Sequence, residues 1–91
     1  MAGLRRIKER IRDLAARRNN VKLSEIEWVV NQLGRNGFDT HARQNEHQIL
    51  FRVGGQRFGV CTHNPGSSQI KACYVDAFLE AMIELELYEE E

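Results

Sequence analysis

Two consecutive glycines, Gly54 and Gly55, stand between two runs of alternating apolar and polar residues inside the stretch 37–61. A Gly-Gly pair supplies the positive φ angles that a two-residue type I′ or II′ loop needs, so the pattern predicts a β-hairpin. With only these two residues in the loop, Val53 faces Gln56, Phe51 faces Phe58, Ile49 faces Val60 and His47 faces Thr62. Side chains alternate across a strand, so these residues share one face, and that face is the apolar one. The other face carries Gln48, Leu50, Arg52, Arg57 and Cys61, which places two arginines side by side. A core face, a cationic face and a histidine at the open end are therefore read from one turn.

The elements around the hairpin follow from helical spacing. Leu4, Ile7, Ile11 and Leu14 mark one apolar stripe on a first helix whose other faces are mostly arginine, with Asn19-Asn20 as its stop. Ser24 and Glu27 have capping-box spacing for a second helix over residues 24 to 32–34, with Ile26, Val29, Val30 and Leu33 on its buried face. Trp28 lies off that stripe, where a staple with Leu23 or packing under the first helix accounts for it. Residues 38–43 read as a first strand after the stop signals Gly34, Asn36 and Gly37, and residues 62–68 as a loop. Val75, Phe78, Leu79, Met82 and Ile83 mark a last helix from Ala72 to Leu87 or Tyr88. The order α-α-β-β-β-α predicts an α+β domain of two layers, a three-stranded antiparallel sheet with helices on one face.

Composition narrows the function classes. At 91 residues the chain is expected to be one domain, too small for a deep substrate cavity. No apolar run reaches the roughly 18–20 residues of a membrane span, and residues 1–12 lack the apolar core of a signal peptide, so the expected compartment is the cytoplasm. Cys61 and Cys73 are then expected to be reduced and buried as small hydrophobes. His41, His47, His63 and the cysteines have no zinc-like ligand spacing, so neither a metal nor another cofactor is expected. The formal net charge is zero but polarised: residues 1–22 carry +6 and residues 76–91 carry −7. Such ends can attract each other, or the basic one can face a polyanion.

The residues and their order resemble the HicA family of bacterial toxins, small proteins with a double-stranded-RNA-binding-domain-like fold. Gly37-Phe38 stands nine residues before His47, which Ile49-Leu50-Phe51 and the hairpin follow. Lys71-Ala72-Cys73-Tyr74-Val75 is similar to the start of the family's final helix. The resemblance covers residues 21–88, leaving 1–20 as a basic helical extension and 89–91 as an acidic tail. It differs in having Asn45-Glu46 where the family has Gly-Ser, and Ala72 where the family has proline. The resemblance implies an endoribonuclease that cleaves mRNA, restrained by a HicB-like antitoxin. The family's histidine corresponds to His47, an imidazole able to take the proton of a ribose 2′-hydroxyl. Arg43, Arg52, Arg57 and Lys71 are the candidate phosphate ligands, and His63 is a candidate acid for the leaving oxygen. Two other readings use the same residues: a nucleic-acid-binding module without chemistry, and a self-association or protein-interaction module built on Trp28, the basic helix and the acidic end, with a second copy of the chain as partner.

Overall fold

The computed structural model describes residues 2–45, 48–61 and 69–89. The hairpin forms as the alternation requires. Strands β3 (Gln48–Val53) and β4 (Gln56–Cys61) pair antiparallel with Val53 opposite Gln56, Phe51 opposite Phe58 and Ile49 opposite Val60. Gly54 and Gly55 have φ of 54° and 93°, and two positive values in succession make the turn type I′. The expected pairing of His47 with Thr62 lies outside the described residues.

Strand β2 (Thr40–Gln44) adds to the free edge of β3, giving the order β2-β3-β4. Ile49, Phe51, Val53, Phe58 and Val60 are all buried on one face, under α2 (Leu23–Arg35) and α3 (Ala72–Glu84). This is the expected α+β architecture. Phe51 stacks on Phe58 at 5.1 Å, and Phe58 meets Phe78 of α3 edge-on at 5.4 Å, so an aromatic trio couples the sheet to the last helix. Such pairs contribute about 0.5–1.5 kcal/mol each beyond the area they bury. A second, two-stranded ribbon was not foreseen: β1 (Val21–Lys22) pairs with β5 (Gln69–Ile70), closing the chain between the first two helices onto the approach to α3.

Helix α1 (Ala2–Ala16) packs on α2 and α3. Its Ile7, Ile11 and Leu14 are buried in the same cluster as the sheet and the other helices, as their spacing requires. Arg17, just past its end, holds both Asp13 and Glu25, and Arg18 sits 3.0 Å from Asp76 of α3. The basic segment is thus tied to α2 and α3 by its last two arginines. The Arg17 guanidinium keeps the carboxyl groups of Glu25 and Asp13 below their ordinary range. Trp28 packs under α1, half-buried, with the Arg10 guanidinium 4.9 Å above its ring.

Two helix ends and the burial of the cysteines differ from expectation, each for a local reason. The cap of α2 is Lys22, not Ser24: the Lys22 amide donates to Glu25 Oε1 at 3.2 Å, so Glu25 rather than Glu27 closes the turn. Val21 and Ile26 then flank the cap in the staple positions, and both are fully buried. Helix α3 stops at Glu84 rather than at Leu87 or Tyr88. Glu86, at φ 61°, reverses the chain, its amide donating to Ile83 and that of Leu87 to Met82, and Leu87 folds back into the core. This is a Schellman ending, and α2 has the same one at Gly37, φ 96°. The third concerns the cysteines: Cys73 is exposed because Val75, Phe78, Leu79 and Met82 turn the opposite side of α3 inward. Cys61 is half-buried and shares a hydrogen bond with Tyr74 that raises the tyrosine's pKa.

Two stability predictions follow from these endings and ties. Glu86→Gly relieves a left-handed conformation that costs a side chain, and should raise the unfolding free energy by about 0.5–1 kcal/mol in denaturant melts. Glu25 has a folded pKa below its unfolded value, so its contribution is present above the unfolded carboxylate pKa and lost as pH falls through the folded one. Glu25→Gln should therefore lower the melting temperature near neutrality and leave it unchanged in strong acid.

Candidate nucleic-acid interface

The register of β2 against β3 decides what the uncovered face of the sheet presents. His41 lies opposite Arg52, and Arg52 lies opposite Arg57, so one row across all three strands reads His41–Arg52–Arg57. The next row reads Arg43–Leu50–Gly59. Among the described residues no helix covers this face, because α2 and α3 both pack on the other one.

Leu50 is 42% exposed, the one large apolar side chain so exposed among the described residues. It rests on the backbone of Gly59: a Cβ built there would stand 3.3 Å from Leu50 Cδ2, so Gly59 leaves the space in which Leu50 lies down across β4. His41, Arg43, Leu50, Phe51, Arg52 and Arg57 together line a shallow recess of about 350 Å³. Among the described residues no carboxylate lines it. Asp39, which falls on the same alternation one residue before β2, is not among the lining side chains.

Placing two arginines directly opposite each other on neighbouring strands is unfavourable for the fold, since like charges across a pair repel. His41 on the third strand lies in the same row. An anion seated over the row offsets that repulsion, and guanidinium groups suit it because their N–H forks match phosphate oxygens.

Of the residues singled out in the sequence, Arg43, Arg52 and Arg57 meet in this recess. Lys71 does not: it is the exposed N-cap of α3, next to the β1–β5 ribbon. His47, His63 and Glu46 lie outside the described residues. His41 is the residue sequence reasoning missed, having been weighed only as a metal ligand. Carrying the two-residue alternation back through β2 is the signal that finds it, since His41 and Arg43 share the parity that meets Arg52 and Leu50. Among the described residues no three His, Cys, Asp or Glu side chains gather in a way that could hold a metal ion, and no helix is long and apolar enough to cross a membrane.

No family model, curated protein or solved structure matches this chain. The geometry of the sheet therefore stands as the ground for a functional reading.

The repulsion in the cationic row can be measured without any ligand. Arg52→Glu places an opposite charge between His41 and Arg57 and should stabilise the free protein by about 0.5–1 kcal/mol in low salt, an effect that added salt reduces. A denaturant midpoint that does not move, or falls, would show that the row carries no such strain.

Proposed function

We propose that this protein binds RNA through the uncovered face of its sheet, with Arg43, Arg52 and Arg57 on backbone phosphates and His41 beside them. The observation that carries the reading is the Arg52–Arg57 pair set face to face on an open surface. The fold derives no benefit from that pair, whereas a polyanion does. The four groups occupy two rows and two edges of the recess, a spread that suits successive phosphates of a strand better than one small anion. A protein partner is less well served, because an interface of that kind needs an apolar centre and, among the described residues, this face offers Leu50 alone.

The HicA-like resemblance extends this reading to cleavage. In it the bound strand is mRNA, His47 takes the proton from a 2′-hydroxyl so that the oxygen attacks the adjacent phosphate, the arginines offset the charge that develops, and a HicB-like antitoxin is the restraining partner. Over residues 21–88, the part the resemblance covers, α2, the three-stranded sheet β2-β3-β4 and α3 follow in chain order, which supports the fold it implies.

Binding and cleavage are separable by experiment. Single-stranded RNA followed by fluorescence anisotropy should bind the wild type in a strongly salt-dependent manner. Arg43→Ala, Arg52→Ala and Arg57→Ala should each weaken it about tenfold. Removing all three should reduce the slope of log K against log salt by about 2. Affinity unchanged in the triple variant would exclude this face as the RNA site. Expression in a bacterial host then tests the chemistry: the cleavage reading expects growth arrest and mRNA loss with wild type and neither with His47→Ala. Equal growth and intact RNA with both would leave a binding module without nuclease activity.

A further inference from the structure

The outer side of α1 holds a second cationic array, and it has no role in the fold. Ile7, Ile11 and Leu14 take the buried stripe of the helix. Arg5, Lys8 and Arg12 recur at i, i+3 and i+7 on a line roughly a third of a turn away, and all three are exposed. Arg5 touches Glu9 at 3.5 Å with both side chains largely in solvent, while Lys8 and Arg12 make no ion pair among the described residues. This arrangement is unfavourable to the helix on two counts. Like charges three and four residues apart repel, and the first turn, where the helix dipole favours acids, contains none. Arg17 and Arg18 contrast with it, being occupied by Asp13, Glu25 and Asp76.

The position of the array matters as much as its charge. Helix α1 packs on α2 and α3, and these pack on the inner face of the sheet, so the helical layer stands between the α1 array and the sheet recess. A strand lying flat on one of the two surfaces does not reach the other.

We infer that Arg5, Lys8 and Arg12 form a second RNA-backbone site, and that one molecule holds two RNA segments, one on each side. The inference rests on the RNA reading of the sheet for its other half. RNA is favoured over a membrane because the apolar stripe of α1 is buried, which leaves nothing to insert among lipid tails. It is favoured over an acidic protein because no large apolar side chain is exposed beside the array among the described residues. A row of exposed cations without an apolar centre suits the uniform charge of a phosphate backbone.

The test uses the full-length protein with two short single-stranded RNAs of unrelated sequence and distinguishable mass, in native mass spectrometry at low salt. The expected species is one protein bound to both RNAs. The variant Arg5→Ala/Lys8→Ala/Arg12→Ala should keep one RNA and lose the ternary complex, and so should the variant lacking Arg43, Arg52 and Arg57. All six side chains are exposed or line an open recess, and circular dichroism checks that both variants stay folded. Ternary complex undiminished in the α1 variant overturns the inference. So does a wild type that never exceeds one RNA per protein, or whose two-RNA species always contain two protein copies. If the α1 variant loses an RNA while the sheet variant loses none, the α1 site stands, the two-sided arrangement falls, and the fault lies with the sheet reading.

Discussion

Two positive φ angles at Gly54 and Gly55 set the register on which the rest of this structure depends. A slip of one residue would send every side chain of β3 and β4 to the opposite face. Ile49, Phe51, Val53, Phe58 and Val60 would then lose the helices that bury them, and the arginines would enter the core. The type I′ turn excludes that outcome because its twist matches that of the strands and its conformation needs glycine. With the register held, Phe51 and Phe58 stack, Phe78 of α3 closes on them, and the last helix has a fixed seat.

The same register distributes the charge. Arginines at the end of α1 are drawn into ion pairs that tie the helices together, so part of the polarity between the two ends of the chain is used within the molecule. Those on the sheet face and on the outer side of α1 are instead set beside one another: among the described residues no carboxylate lines the recess, and Lys8 and Arg12 make no ion pair. Folding alone does not favour either array. Both become favourable when a polyanion lies over them, which is why a nucleic-acid reading fits the surface better than a small cavity or an apolar interface would.

Much of the fold was legible because it rests on short-range rules. The hairpin, the buried stripe Ile26, Val29, Val30 and Leu33, and the stripe Ile7, Ile11 and Leu14 all follow from periodicity, and burial answers each. The boundaries were less legible because several solutions satisfy the same local chemistry. Ser24 with Glu27 and Lys22 with Glu25 are both able to start α2, and the choice fell to the pair that also buries Val21 and Ile26. The end of α3 was hidden in the same way: Glu86 is a poor residue for a left-handed turn, and it holds one because Leu87 gains a place in the core.

The sequence by itself determined the strand pairing of the hairpin, the faces of the three helices and the presence of Arg52 beside Arg57, since each depends on neighbours a few positions apart. His47 was named as a candidate through the resemblance to the HicA family, and it lies outside the described residues. Only the tertiary structure decided that β2 brings His41 and Arg43 into the same recess, that β1 and β5 pair, and that Lys71 stays apart. Those relations join segments far apart in the chain, and whether such segments meet is settled by how the whole apolar surface is buried at once, which no local pattern encodes.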